Sequence, residues 1–318
     1  MNTIPLTFNQ RQINRTVLGG KESVPDARLA VSVILLNKGG SHYRIQNLEN
    51  LVKCGFESII SFESDPDNYN IEDFAQRFPC VRFIVPLEPA TDGDLINIAM
   101  SEVKSDYVLV LRDSVQITGD LLTARLCERL AEQAVYCIAP HLVTEHAPAF
   151  PNVFVPSVKK SELLVIPETR IVDGRTTLFP LDYIGLYDRQ KFIQLGGYDY
   201  TILSPYWQNL DLSFRAWLWG ERITLSTVFS LAYRGEPPAE DTSASLYSGR
   251  FYLKNLLPRF TDDHGTIPRS SFFAYYRRSG CGFFESLNQF GDARAWVEKN
   301  KYRFRFDAPH LIENWGKL

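Results

Sequence analysis

Continuous apolar runs, rather than alternating ones, dominate the first half of the chain. Leu29 to Leu36 is β-rich and apolar throughout, as expected of a strand buried on both faces of a parallel sheet. It stops at the loop signal Asn37-Lys38-Gly39-Gly40. Ile45, Leu48, Leu51 and Val52 then recur at helical spacing, and Gly55 marks the helix end. The same alternation continues with strands over 56–62, 81–85, 106–111 and 135–139. Between them the spacing predicts helices over 71–78, from Asp92 (as the cap) to Glu102, and from Leu122 to Leu130. Strands alternating with helices at this interval predict βαβ units and a mainly parallel sheet. Ligands of such sheets bind beyond the carboxyl ends of the strands. Asn37, Glu63 and Asp113 fall at those ends. Residues 141–180, rich in Pro and Val, read as irregular. A helix is predicted from Asp211 to Trp219, with Asp211 either its cap or a reactive carboxylate, and a strand over 223–233.

Composition narrows the class. With 45% hydrophobic and 22% charged residues in 318, the chain has enough apolar material for a sizeable core. A net charge of −3 gives no general basis for nucleic-acid binding. The five cysteines are scattered and form no CxxC pair, and the five histidines show no metal-ligand spacing. Buried thiols, no apolar run of membrane-spanning length and no secretion signal lead to the expectation of a cytoplasmic protein. From residue 246 onward twelve Lys/Arg face seven Asp/Glu, a net of +5, which leaves −8 on residues 1–245. Two readings of this aromatic, basic tail stay open: helices that lay Arg stems over the main domain, or a surface for a membrane or anionic partner.

Four segments in order carry a resemblance. They are Val31 to Asn37, Glu57 to Asp67, Gly93-Asp-Leu-Ile-Asn97 running into Ser105 to Leu111, and Gly196-Gly-Tyr-Asp199 followed by Leu210-Asp-Leu212 with Arg215. Together they resemble the family-2 glycosyltransferases, which have the GT-A fold. The resemblance implies one α/β, Rossmann-like domain over 29–245, with a mainly parallel mixed sheet flanked by helices. A lead-in over 1–28 and a helical extension over 246–318 complete the chain. It also implies transfer of a sugar from a nucleotide-diphosphate donor to a glycan or glycolipid acceptor, as in polysaccharide biosynthesis. By the same resemblance Asn37, Glu63, Asp65, Asn97, Arg112 and Asp113 form the nucleotide-sugar side. Gln208, Asn209 and Asp211 form the acceptor side, and Asp113 and Asp211 are the catalytic candidates.

The sequence departs from that family where its chemistry is concentrated. The two carboxylates that hold a divalent cation, manganese or magnesium, are replaced by Arg112 and Ser114. The acidic pair that supplies the base is replaced by Gln208 and Asn209, whose amides have no useful proton affinity near neutral pH. Tyr233-Arg234 stand where a histidine is usual. One reading puts Arg112 in the cation's role, since Asp to Arg changes the local charge by +2 as a divalent ion would. Another makes it a salt bridge to Asp113 or Glu63. Accordingly a metal-independent transferase, a catalytically inactive nucleotide or sugar binder, and an interaction module using the tail are the three functional expectations.

Overall fold

The computed structural model describes residues 11–37, 43–63, 70–144, 150–160, 162–234 and 240–317. In chain order the elements are β1 (Arg15–Gly19), β2 (Leu29–Asn37), α1 (Arg44–Cys54), β3 (Phe56–Glu63), α2 (Ile71–Arg77), β4 (Val81–Pro86) and α3 (Asp92–Glu102). They continue with β5 (Tyr107–Arg112), β6 (Val115–Gln116), α4 (Ala124–Ala131), β7 (Cys137–Val143), β8 (Val153–Lys159) and β9 (Glu162–Glu168). Next come β10 (Gly185–Asp188), α5 (Arg189–Gln194), α6 (Pro205–Leu218) and β11 (Ile223–Tyr233). The extension holds α7 (Leu246–Phe251), β12 (Arg259–Thr261), β13 (His264–Thr266), α8 (Phe272–Ser279), α9 (Phe283–Asn300) and α10 (Ala308–Glu313). A π-helical turn over Tyr252–Leu256 follows α7 directly.

Among the described residues the main sheet has nine strands in the order β1-β4-β3-β2-β5-β10-β7-β11-β6. The run β4-β3-β2-β5 is parallel, as the apolar runs predict. β10 enters antiparallel between β5 and β7, and β7 and β11 are parallel again. The register places Asn37 beside Glu63 and Leu36 beside Arg112. The carboxyl ends of three adjacent strands therefore converge on one spot.

Three local expectations are corrected. Residues 153–168 form the antiparallel β8–β9 ribbon, not an irregular stretch. Pro156 and Pro167 interrupt its apolar pattern, yet in a two-stranded ribbon a proline nitrogen that faces away from the partner strand removes no ladder N–H. The N-cap of α3 is Thr91, in a capping box with Asp94, rather than Asp92. And α6 starts at Pro205, which fits the first helical position because its fixed φ suits a helix and its missing N–H is not needed there. Asp211 consequently lies inside the helix and caps nothing.

α6 is buried on nearly every side, as a helix enclosed by other elements must be. Asp211 sits at its centre with no exposure. Its Oδ2 accepts from Arg215 Nη1 at 2.7 Å and Lys254 Nζ at 2.8 Å, and its Oδ1 accepts from Asn255 Nδ2 at 2.8 Å. Lys254 also reaches Asp199 Oδ2 at 2.9 Å. Burial alone would push the Asp211 carboxyl up, but Lys254 and Arg215 hold it below the usual carboxylate range. Lys254 and Asn255 come from the turn after α7, so residues on both sides of position 246 share this network. They also share one hydrophobic cluster, which includes Phe251, Leu253, Phe290 and Trp296. The tail is not purely helical, since β12 and β13 pair as a short hairpin. Arg303 lies over the Trp219 ring at 5.1 Å.

Removing one member of a buried ion network strands the others without a counter-charge. Lys254→Ala is expected to destabilise the fold by about 3–5 kcal/mol, read from the denaturation midpoint. A loss below about 1 kcal/mol would show that Asp199 and Asp211 do not rely on it.

Candidate functional site

Two polar clusters occupy the carboxyl ends of the parallel strands. The first lies at the ends of β2 and β3. Asn37 Nδ2 donates to Ser61 Oγ at 2.7 Å and to Glu63 Oε1 at 3.2 Å, and Ser61 Oγ donates to the same Glu63 oxygen at 2.9 Å. The other carboxylate oxygen of Glu63 pairs with Arg44 Nη2 at 2.8 Å. Arg44 in turn lies 4.0 Å from the Phe74 ring centroid, a cation–π contact from α1 to α2. Burial pushes the Glu63 carboxyl up, against the opposing pull of Arg44 and the hydrogen bonds from Ser61 and Asn37. Asp65 lies outside the described residues.

The second cluster centres on Arg112 at the end of β5. Its Nη2 pairs with Asp92 Oδ2 and its Nε with Asp182 Oδ1, each at 2.5 Å. Nε also donates to the Asp182 carbonyl at 3.0 Å. Its ion-pair partners are thus Asp92 and Asp182, not Asp113 or Glu63. Burial works against the guanidinium charge, but Asp182 and Asp92 outweigh it and the group stays charged. The Nη1 group is buried and has no hydrogen-bond partner among the described residues. Tyr233 Oη donates to Asp182 Oδ2 at 2.9 Å, which brings the end of β11 to the same spot. Arg234 lies 3.6 Å from the Tyr43 ring centroid at the mouth of α1. Asp113, half-buried, donates its backbone N–H to the Leu36 carbonyl at 3.2 Å.

Asp182 reaches Arg112 because of a turn in the left-handed region, with φ of 52° at Asp182 and 64° at Tyr183. Two consecutive non-glycine residues in that region need outside support. Asn209 Nδ2 donates to the Pro180 carbonyl at 2.8 Å, and Tyr183 Oη donates to the Pro205 carbonyl at 2.7 Å. Asn209, expected from the sequence on the acceptor side, instead holds the turn that supplies Arg112 with its counter-charge.

The remaining predicted residues are committed to internal bonds. Gln208 Oε1 accepts from the Gly93 N–H at 3.2 Å, and its Nε2 donates to Thr91 Oγ1 at 2.9 Å and to the Asp199 carbonyl at 3.1 Å. Gly93 has to be glycine here, since a Cβ would fall 2.4 Å from Gln208 Oε1 and 2.7 Å from Tyr198 Cβ. Asn97 clasps the Tyr198 backbone, donating to its carbonyl at 2.8 Å and accepting from its N–H at 2.9 Å. It joins α3 to the Gly196-Gly197-Tyr198 segment and offers no free amide atom. Asp211 lies in the buried network already described. The structure thus brings Asn37 together with Glu63 at the strand ends and sets Arg112 and Asp113 at the neighbouring strand end. It places Gln208, Asn97 and Asp211 in supporting positions behind them.

Sequence reasoning missed Arg44, Asp92 as a partner of Arg112, Asp182 and Glu240. Arg44 is the first residue of α1, following the loop after β2, where a basic residue is a weak but readable sign. Asp182 carries no local signal, because only the antiparallel entry of β10 brings it in. Glu240 is half-buried, and its carboxyl is pushed up to about 7 by burial and by Asp182, with Arg112 opposing.

No family model matches the chain, and no curated protein matches it. Solved structures do. The structure of GalNAc-T7 with UDP, GalNAc and Mn2+ is similar over 90% of this chain at a TM-score of 0.59 and 12% identity. This chain spans 57% of that one. The fold is GT-A. Two further GT-A structures show weaker likeness. Staphylococcus aureus TarS 1–349 in complex with UDP-GlcNAc matches at a TM-score of 0.49 and 13% identity, over 91% of this chain and 76% of that one. Mannosyltransferase PcManGT from Pyrobaculum calidifontis with GDP-Man and Mn2+ matches at 0.48 and 11%, over 92% and 79%.

Among the described residues, those at the end of β5 do not fit a divalent cation. The guanidinium of Arg112 already bridges Asp92 and Asp182, so an ion between those carboxylates would face a fixed positive charge. Among the described residues no three His, Cys, Asp or Glu are grouped to hold a metal ion. Among the same residues, no helix is long and apolar enough to cross a membrane.

The Glu240 carboxyl has a linked effect on stability. Its folded pKa of about 7 lies above the usual carboxylate value, so the native state binds the extra proton between roughly pH 4.5 and 7. Stability associated with this group is full below that window and falls as pH rises through it. Glu240→Gln removes the loss, and is expected to be more stable than the parent at pH 8 by on the order of 1–3 kcal/mol but not at pH 4.5. Parallel unfolding curves at the two pH values test this, and an equal difference at both would refute it.

Proposed function

We propose that the chain binds a nucleotide-diphospho-sugar across the carboxyl ends of β2, β3 and β5 without a divalent cation, and transfers the sugar to a glycan or glycolipid acceptor. The observation that carries this reading is the Arg112 guanidinium at the end of β5. It is a permanent, buried positive charge where the family resemblance implies a metal-binding carboxylate. Its Nη1 is a donor the protein leaves unsatisfied, and a diphosphate oxygen is the acceptor such a group suits. The neighbouring Asn37–Glu63–Arg44 cluster offers hydrogen-bonding chemistry suited to a nucleoside. GalNAc-T7 holds UDP in its structure, which supports donor binding here.

For transfer, the acceptor hydroxyl must lose its proton to a nearby base. Gln208 and Asn209 have no proton affinity to offer, and both oxygens of Asp211 are engaged at full burial. Among the described residues, Glu240 lies within the field of Asp182 and Arg112. Glu240 suits the task, since a carboxyl that titrates near neutrality is both populated as base and able to hold the proton. The engaged state of Asp211 is also the specific observation favouring the second reading, in which the chain binds a nucleotide sugar without turning it over.

Titration with UDP, GDP, CDP and dTDP, each with manganese and with a chelator, separates these cases. One nucleotide is expected to raise the thermal midpoint equally in both conditions, by about 2.7 kcal/mol of stabilisation at 100 times its dissociation constant. Arg112→Ala is expected to weaken that binding by more than about tenfold, a charge-assisted contact being worth ~1.5–3 kcal/mol. Nucleotide release from the matching sugar donor that requires a glycan or glycolipid acceptor, with the sugar recovered on that acceptor, and that is lost in Glu240→Gln with binding intact, would establish transfer. Binding without release would leave the binder reading. No shift with any nucleotide would end both.

A further inference from the structure

The junction of α8 and α9 carries an aromatic surface that the strand-end chemistry does not use. Phe273, Tyr276, Phe283 and Phe284 are 64%, 37%, 45% and 79% exposed. Their rings are continuous. Phe273 and Phe283 each pack against Phe272 at 5.5 Å between centroids, and Phe283 meets both Tyr276 and Phe284 at 5.7 Å. Leu287, one turn past Phe283, is also exposed. Single exposed apolar side chains are ordinary, but a contiguous set at a helix–helix turn marks a contact surface.

The charges around the patch select its occupant. Arg277 and Arg278 end α8, and Arg269 precedes it, all exposed, while α8 itself holds no carboxylate. Glu285 is the acidic residue in the first turn of α9, and Arg278 approaches Glu162 only to 3.7 Å with both side chains exposed. Aromatic rings edged by guanidinium groups match the interfacial zone of an anionic bilayer, where rings settle at headgroup depth and Arg pairs with phosphate. A second copy of this chain is a poorer fit. A two-fold contact centred on the patch would bring both sets of Arg277 and Arg278 together as like charges.

We propose that the α8–α9 tip docks on an anionic lipid bilayer and holds the chain peripherally at the membrane. The patch adjoins a groove of about 370 Å³ whose lining includes Arg278, Ser279, Tyr275, Tyr252 and Trp207. Trp207 is in the first turn of α6, beside Gln208. A lipid-borne acceptor is the substrate class this orientation favours, a consequence that rests on the transferase reading, whereas the docking itself does not.

Co-sedimentation of the full chain with vesicles of phosphatidylcholine plus phosphatidylglycerol, and with phosphatidylcholine alone, tests the docking. Binding is expected to the anionic vesicles only, weakening as salt is raised. The double variant Phe273→Ser/Phe284→Ser and the double variant Arg277→Glu/Arg278→Glu are each expected to lose about tenfold or more in affinity. All four side chains are exposed, and an unchanged melting curve checks that the fold is intact. No binding to anionic vesicles, or binding unaffected by both double variants, would overturn the proposal. So would self-association that the Phe variant abolishes, which would assign the patch to a protein contact. Nucleotide binding measured on the same variants is expected to match the parent, so failure of docking and failure of the nucleotide reading give different results.

Discussion

A carboxylate with no access to water can persist only if the protein supplies its whole environment, and Asp211 is such a group. Lys254, Arg215 and Asn255 surround it, and Asp199 shares the Lys254 ammonium. Satisfying these partners fixes the rotation of α6 and the position of the turn after α7. With α6 fixed, Gln208 faces Gly93 at the start of α3 and Asn209 faces the Pro180 carbonyl. The Pro180–Tyr183 turn then presents Asp182 to Arg112. The strand-end chemistry thus depends, through a chain of hydrogen bonds, on the buried ion network that Asp211 anchors within α6.

The polar groups at the strand ends largely answer one another. Glu63 is paired with Arg44, and Arg112 with Asp92 and Asp182. Arrangements of this kind keep charge in place without a metal, because a guanidinium brings its positive charge covalently and with fixed geometry. They also raise the requirement on any ligand, which has to match the unsatisfied donor of Arg112 rather than compete with its two carboxylates. Burial and Asp182 push the nearby Glu240 carboxyl up to about 7, and this residue lies outside the segments that carry the family resemblance.

The parallel half of the sheet was legible because β2, β3, β4 and β5 are buried on both faces and so read as unbroken apolar runs. The convergence of Asn37, Glu63 and Arg112 followed from those runs ending together. What the sequence did not disclose was set by context of two kinds. Proline misled twice: Pro156 and Pro167 sit at free ribbon edges, and Pro205 opens a helix rather than delaying it. Burial misled once more, because nothing local distinguishes Asp211 as a cap, a base or a core ion pair; its role is decided by Lys254, 43 residues away. Asn97 and Gln208 have the residue types of ligand contacts, yet their partners are backbone groups and the Thr91 hydroxyl, which only the tertiary fold brings within reach.

The reversed direction of β10 has a further effect on how this site is assembled. Parallel strands contribute to their carboxyl edge with what comes after them, so β2, β3 and β5 supply the residues at which they stop. β10 runs the other way, pairing Gly185 with Val110, and so it delivers to the same edge the residues that precede it. Asp182 and Tyr183 are therefore an entry segment placed among exit segments. Changes of length between Leu178, which bonds the Phe154 carbonyl, and Gly185 would reshape this edge first. One reversed strand gives the scaffold a second, independently variable route into its own binding face.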